Sequence, residues 1–328
     1  MTNRIYLDHN ILDALLKGKI SREELYLPYT NNTIVYSNET LMEIRKSTGY
    51  EYKFLQVLKD LDARFLYVES NASGHITGKW EILEHDPFVM FDSLNDTLAS
   101  TTNSNFGFDE IVQKLYGGAP DRSFAEIAAQ SVNDLQDMLD SSLEEARTDL
   151  SEEEYQSIAL YFEGLKRQMN ASSYEMGSQL DKSTSENNFT TWDNAIGVGP
   201  LELKNIVPPK VVQKVWEMIS SKLPEEATFE KMFGLDALYE GAYFPKTNIE
   251  RCNAIYHALN YFGYYRDTGM KKLRRVHASG ADMNHAGYAS LCDILVSDDE
   301  DFCKKAMAVY EFLKIDTYVV YTNLKGKS

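Results

Sequence analysis

The chain has 328 residues, 43% of them hydrophobic, so it can bury the core of one large or two modest domains. Its formal net charge of −17 argues against a general electrostatic attraction to nucleic acid, although a site that holds divalent cations would bring its own positive charge. The three cysteines show no CxxC spacing, no signal-peptide pattern opens the chain, and no run of about eighteen apolar residues occurs, so we expect a soluble, cytoplasmic protein with reduced thiols.

Short apolar runs alternate with helical patterns in the first part of the chain. The predicted strands cover residues 4–7, 33–36 and 65–68. Asp8 follows the first of them, and Ser37 after the second is a good N-cap for a helix that carries Glu43. The alternation of strand and helix predicts an α/β fold with a parallel sheet and right-handed crossovers.

The composition changes after residue 69. Residues 70–246 are predicted to form a mostly helical insertion, which divides the core into residues 1–69 and 247–328. We expect the insertion to shape access to a substrate, to contact a protein partner or to support self-association. Ser151 and Glu154 form a capping box for one of its helices, which should end near residue 169, and residues 170–200 are rich enough in Ser, Thr, Asn and Gly to predict a long loop.

Near the C-terminus, a helix with small residues precedes a short apolar strand and an acidic turn. Ala286, Gly287 and Ala289 predict close packing of the helix, which we expect to be against the sheet. Residues 294–296 read as a strand that is buried on both faces, and residues 298–301 follow its carboxyl end. Because sites in open α/β sheets form at the carboxyl ends of strands, the acidic turn is a candidate site.

Four acidic residues share this kind of position. Asp8 and Asp299 fall at strand ends, and Glu43 and Asp282 fall near the starts of helices. In a parallel sheet these positions can converge on one edge. Clustered carboxylates repel one another, so such a cluster is tolerable mainly if it holds hard cations such as Mg²⁺ or Mn²⁺. Soft-metal sites are not expected, because Cys and His show no ligand spacing.

Four segments of the chain carry a family resemblance. They are Asp8-x-Asn10 after the first strand, Ser37 with Glu43 on the second helix, Asp282-x-x-His285-Ala286 on a later helix, and Val296-Ser297-Asp298-Asp299-Glu300-Asp301-Phe302. In this order they resemble the PIN-domain nucleases, over roughly the first seventy and the last eighty residues. The resemblance implies a Rossmann-like parallel sheet flanked by helices.

The resemblance also implies roles for single residues. The metal ligands would be Asp8, Glu43, Asp282 and Asp299, with Asp301 as a further or alternative ligand. Asn10 and Ser297 would orient those carboxylates, and Asp298 lies beside them. From its position one turn after Asp282, His285 could contact a substrate phosphate, orient a carboxylate or simply pack in its helix. The implied reaction is metal-dependent phosphodiester hydrolysis, most often of RNA by an endoribonuclease, which leaves a 5′-phosphate and a 3′-hydroxyl.

A basic cluster precedes the acidic segments. Lys271, Lys272, Arg274 and Arg275 are either a solvated face or a rim that grips substrate phosphates.

Two other functions remain open from the sequence. The chain could be a non-catalytic protein of the same fold that binds nucleic acid or protein. It could also be a phosphatase of the haloacid-dehalogenase type, which begins with a strand ending in Asp. That reaction normally requires a second Asp two residues after the first, where this chain has Asn10.

Overall fold

The computed structural model describes residues 2–25, 32–71, 75–100, 108–183, 193–194, 196–239, 242–243 and 245–324. The chain divides into two compact units. We call Met1–Asp96, Ile196–Asp267 and Ser279–Ser328 the sheet unit, and Thr97–Ala195 with Thr268–Ala278 the helical unit. None of the helices in the described ranges combines the length and the hydropathy that a membrane span requires.

The sheet unit contains a six-stranded sheet whose strands lie in the order β4-β3-β2-β1-β7-β8. The strands are β1 (Asn3–Leu7), β2 (Asn32–Tyr36), β3 (Arg64–Ser70), β4 (Ile76–Leu83), β7 (Ile294–Ser297) and β8 (Tyr318–Tyr321); a separate short ribbon contains β5 (Leu238–Tyr239) and β6 (Ala242–Tyr243). All neighbours in the large sheet pair in parallel except β3 and β4. The α/β prediction with a mostly parallel sheet is confirmed.

Helices flank this sheet. They are α1 (His9–Leu16), α2 (Asn38–Lys46), α3 (Glu51–Asp60), α4 (Pro87–Ser100), α8 (Pro200–Lys204), α9 (Val211–Ile219), α10 (Phe229–Met232), α11 (Asn248–Phe262), α12 (Leu273–Ala289) and α13 (Glu300–Leu313). Ile5 and Leu7 of β1 belong to a core cluster with residues of α1, α2 and α3. Tyr6 points to the other side of the strand, where its hydroxyl meets His285 of α12. The strand β7, between β1 and β8, is buried along its whole length, as its apolar run predicts.

The helical unit contains α5 (Phe108–Leu115), α6 (Phe124–Glu145) and α7 (Glu152–Ser183). The predicted loop over residues 170–200 is wrong for residues 170–183, which continue α7, while residues 184–192 and 195 lie outside the described ranges. Tertiary contacts override the weak helix propensity here. The carboxylate of Asp181 accepts hydrogen bonds from the backbone N–H of Phe124 at 2.8 Å and of Ala125 at 3.1 Å, so α7 caps the first turn of α6.

The predicted boundaries of the insertion differ from the boundaries of the two units. Strand β4 and residues 196–246 lie within the predicted insertion, yet they cluster with the sheet. The helical unit also takes in residues 268–278, which were assigned to the core. The helical unit is therefore narrower than the predicted insertion.

The helix α12 contacts the sheet where His285 meets Tyr6, but at Gly287 its close neighbour is another helix, α11. A Cβ added at Gly287 would collide with Asn253 Oδ1 and lie 3.1 Å from Ile249 Cγ2, and both of these residues belong to α11. At Gly280, earlier in α12, an added Cβ would meet nothing within 4 Å. The two glycines are therefore a matched pair in one helix.

We expect opposite effects from alanine at these two positions. Gly287→Ala should lower the free energy of unfolding by about 1–3 kcal/mol, because the added methyl group overpacks the contact with α11. Gly280→Ala should raise it by up to about 1 kcal/mol, because alanine has the higher helix propensity and the space is open. Urea unfolding monitored by circular dichroism measures both, and equal effects at the two sites would contradict the packing described for α12.

Candidate metal centre

The candidate site lies where strand order reverses in the sheet. From β1 the chain builds β2, β3 and β4 to one side, whereas β7 and β8 lie to the other. Leu7 of β1 pairs with Val296 of β7, and the Asp8 N–H donates to the Val296 carbonyl at 3.0 Å. The carboxyl ends of two adjacent parallel strands thus open a crevice at a topological switch point, which is where ligands bind in open α/β sheets.

Asp8 is held rigidly at this crevice. Only 5% of the surface of Asp8 is exposed to solvent. One carboxylate oxygen accepts the His9 backbone N–H at 2.7 Å, and the other accepts the Asn10 amide at 2.5 Å and the Ser297 hydroxyl at 2.5 Å. The Ser297 hydroxyl also accepts the Asp299 N–H at 3.0 Å. One serine side chain therefore ties the acidic turn after β7 to the acid after β1.

Burial raises the pKa of the Asp8 carboxyl to about 6, and the nearby Glu43 carboxylate acts in the same direction. His285 and the hydrogen bonds from Ser297 and His9 oppose the rise without cancelling it. The ionised form of Asp8 is therefore costly in the protein alone. A cation beside it would favour that form.

Glu43 is fixed by a histidine from the far part of the chain. His285 Nε2 lies 2.7 Å from a Glu43 carboxylate oxygen, and His285 Nδ1 lies 2.7 Å from the Tyr6 hydroxyl. The Tyr6 hydroxyl also lies 2.7 Å from the Ser37 hydroxyl, and Ser37 is the N-cap of the helix that carries Glu43. Tyr6, His285 and Glu43 thus form a continuous hydrogen-bonded chain into the site.

The protonation of this pair follows from its contacts. Burial acts to lower the pKa of His285, but Tyr6, Glu43 and Asp8 together raise it well above its ordinary value. Burial acts to raise the pKa of Glu43, but the hydrogen bond and the charge of His285 lower it overall. A Glu43 carboxylate that accepts a hydrogen bond from His285 Nε2 through one oxygen keeps its other oxygen for another ligand.

Three side chains are close enough to share an ion. One ligand atom from each of Asp8, Glu43 and His285 lies within 4.8 Å of the others, and in the described ranges no other group of three His, Cys, Asp or Glu residues meets this distance. Both nitrogens of His285 already have hydrogen-bond partners, however. The donor set that remains is carboxylate oxygen from Asp8 and Glu43, which suits a hard divalent cation.

Asp282 and Asp299 lie near this group without joining it. Burial raises the pKa of Asp282 well above its usual range, and the charges of Asp8, Asp267 and Asp299 add to the rise. Asp299 is the N-cap of α13 and accepts the Phe302 N–H at 2.9 Å through one oxygen. The structure therefore brings Asp282 into the electrostatic field of Asp8 and links Asp299 to Asp8 through Ser297, but both lie outside the 4.8 Å group.

The other two acids of the turn have partners elsewhere. One Asp298 oxygen accepts the Thr322 hydroxyl at 2.9 Å and the Leu324 N–H at 2.6 Å. Asp301 pairs with the Lys204 ammonium at 3.1 Å and is partly exposed. Of the three aspartates that could have been ligands, Asp299 is the one that shares Ser297 with Asp8.

The basic cluster belongs to the helical unit. Lys271, Lys272, Arg274 and Arg275 are exposed, and the Arg275 guanidinium donates to the Thr268 carbonyl at 3.1 Å. Their role in binding substrate stays a prediction.

Sequence reasoning missed several residues that surround the carboxylates. They are Tyr6, Glu39, Tyr256, Asp267 and Lys305. Glu39 had a usable signal, because it stands four residues before Glu43 and so shares its helix face. Lys305 had none, since lysine on an amphipathic helix is normally solvated, and here its ammonium is fully buried and donates to Asp267 at 2.7 Å.

In comparisons with protein-family models, with curated proteins and with solved structures, none matches this chain. The resemblance to PIN-domain nucleases therefore stays a prediction from the sequence.

The raised pKa of Asp8 predicts a specific pH dependence of stability. In metal-free buffer, the free energy of unfolding of the native chain relative to Asp8→Asn should fall by about 2 kcal/mol between pH 4 and pH 7. The sign follows because the folded state holds the Asp8 proton up to about pH 6, whereas the unfolded state releases it near pH 3.8. Urea titrations at several pH values measure the difference.

Ser297→Ala is the control for this experiment. It removes a hydrogen bond that lowers the pKa of Asp8 but keeps the carboxyl, so the fall in stability with pH should persist. A stability difference between native chain and Asp8→Asn that is independent of pH would contradict the assignment.

Proposed function

We propose that this protein is a metal-dependent nuclease, most simply an endoribonuclease, with a PIN-like fold. The observation that supports this most is the meeting of Asp8 and Glu43 at the switch point of the sheet, each held by hydrogen bonds from a distant part of the chain. Asp8 is buried and Glu43 is only partly exposed, and His285 forms its ion pair with Glu43, so positive charge beside Asp8 would relieve the remaining repulsion. Mg²⁺ or Mn²⁺ is the ion that this donor set suits best.

The residues of the chain have distinct tasks in this proposal. Asp8 and Glu43 hold the cation, and Asp282 and Asp299 add negative charge on the side of Asp8. Asn10 and Ser297 keep the Asp8 carboxylate in one orientation, and His285 does the same for Glu43. When bound, the cation lowers the pKa of a water molecule for attack on phosphorus and stabilises charge on the leaving oxygen.

The choice of RNA as substrate follows from the resemblance to PIN-domain nucleases and from the exposed basic cluster. Lys271, Lys272, Arg274 and Arg275 are a dense group of cations in a chain with a net charge of −17. Phosphate contacts from such residues would position a strand without reading its sequence.

The phosphatase alternative is weaker in this structure. A haloacid-dehalogenase phosphatase uses the aspartate after its first strand as a nucleophile. Here the position where that chemistry needs a second Asp is Asn10, whose side-chain amide donates to Asp8 at 2.5 Å instead of presenting a second carboxyl group. Trapping a phosphoaspartate at Asp8 would support the phosphatase instead.

The decisive experiment compares three aspartate variants. Asp8→Asn and Asp299→Asn should reduce Mn²⁺-dependent cleavage of single-stranded RNA by at least about a hundredfold, because each removes charge from the site that holds the cation. Asp301→Asn should cleave at nearly the native rate, because its carboxylate pairs with Lys204. Product analysis on labelled RNA measures cleavage and the nature of the ends.

Asp301→Asn serves as the matched control, because it changes the same acidic turn by the same chemistry. Native protein that binds Mn²⁺ in a saturable way but cleaves no RNA would favour a non-catalytic binding protein. Full activity in Asp8→Asn would refute the nuclease assignment.

A further inference from the structure

Tyr256 has a buried hydroxyl without a hydrogen-bond partner. The residue lies on α11 and is 1% exposed. Its hydroxyl is one of the few buried polar side-chain atoms for which the described residues offer no hydrogen-bond partner. By contrast, the equally buried Tyr310 donates its hydroxyl proton to the Ala286 carbonyl at 2.7 Å. An unpartnered buried donor destabilises a folded protein, so its presence calls for an explanation.

The ring of Tyr256 packs against residues that hold the acidic turn. Its centroid lies 6.0 Å from that of Phe302, whose backbone N–H donates to Asp299 at 2.9 Å. The Lys305 ammonium lies over the Tyr256 ring, 4.7 Å from its centroid. The same ammonium donates to Asp267 at 2.7 Å. Tyr256 is thus fixed between the N-cap of α13 and a buried ion pair.

The surroundings of the hydroxyl are strongly negative. Burial raises the pKa of Tyr256 well above its ordinary value, and the charges of Asp282, Asp267, Asp299 and Asp8 raise it further. The hydroxyl therefore keeps its proton and remains a donor, in the field of Asp8, which the proposed function assigns to the cation, and of Asp282 and Asp299, which add negative charge there. The Lys305 ammonium is directed to other partners, because it donates to Asp267 and Asn260 and lies over the Tyr256 ring.

We propose that Tyr256 is a positioning residue of the metal centre, whose hydroxyl donates to a water molecule that accompanies the divalent cation on the Asp282 and Asp299 side of Asp8. This inference rests on the proposed function and adds a residue to it that lies outside the acidic motifs. The proposal explains why the buried Tyr256 hydroxyl lacks a protein partner, because the water molecule that accepts its hydrogen bond enters with the cation. Lys305 holds the ring in place through the contact with its face.

The test uses the full chain and Mn²⁺ alone. Tyr256→Phe should weaken Mn²⁺ binding about tenfold in isothermal titration calorimetry, because one hydrogen bond in the occupied site is lost. Without metal its melting temperature should equal or exceed that of the native chain, because the hydroxyl has no partner to lose. The rise in melting temperature on adding Mn²⁺ should be correspondingly smaller.

Tyr310→Phe is the matched control. It removes an equally buried hydroxyl but leaves the Ala286 carbonyl unpaired, so the metal-free protein should melt at a lower temperature while Mn²⁺ affinity stays native. A purely structural role for Tyr256 would make both variants behave in this second way.

Two outcomes would overturn the inference, and they differ from failure of the proposed function. Native Mn²⁺ affinity in Tyr256→Phe, combined with lost binding in Asp8→Asn, refutes the role of Tyr256 and leaves the metal centre intact. Absence of saturable Mn²⁺ binding in the native chain refutes the metal centre, and with it this inference.

Discussion

The burial of like charges at one edge of the sheet is the constraint on which the site depends. Asp8 is almost completely buried, and it lies in the field of Glu43 and Asp282. Such an arrangement opposes folding unless hydrogen bonds or positive charge compensate it. Much of the polar structure around the sheet supplies this compensation. The hydrogen bonds from His9, Asn10 and Ser297 satisfy the Asp8 oxygens without neutralising them.

The compensation differs on the two sides of Asp8. On the side of α2, the His285 imidazole donates to Glu43, and the Tyr6 hydroxyl occupies its other nitrogen. On the side of α13, the buried Lys305 ammonium pairs with Asp267 and lowers the pKa of Asp282. Asp8 itself receives no direct ion pair in the described structure. Because Asp8 has no ion-pair partner of its own among the described residues, a cation bound beside Asp8 would have the most favourable electrostatic interaction.

Local sequence patterns predicted the elements that carry the site. Strand-like runs ended at Asp8 and Ser297, and a Ser37 N-cap placed Glu43 on its helix. These features depend on residues close in sequence, through periodicity, capping and burial of apolar runs. The same reasoning failed for residues 170–183, because their helix depends on packing against α6 and on the cap that Asp181 gives to it.

The sequence by itself determined which acids stand at the ends of strands and the starts of helices. Only the tertiary structure decided their partners: Ser297 reaches Asp8 across 289 residues, and His285 reaches Glu43 across 242. The tertiary structure also decided that Asp301 pairs with Lys204, although the position of Asp301 in the acidic turn equally allowed it to be a metal ligand. The physical reason is that periodicity places a side chain on a face of its own element, whereas hydrogen bonds and ion pairs depend on which other elements pack against that face.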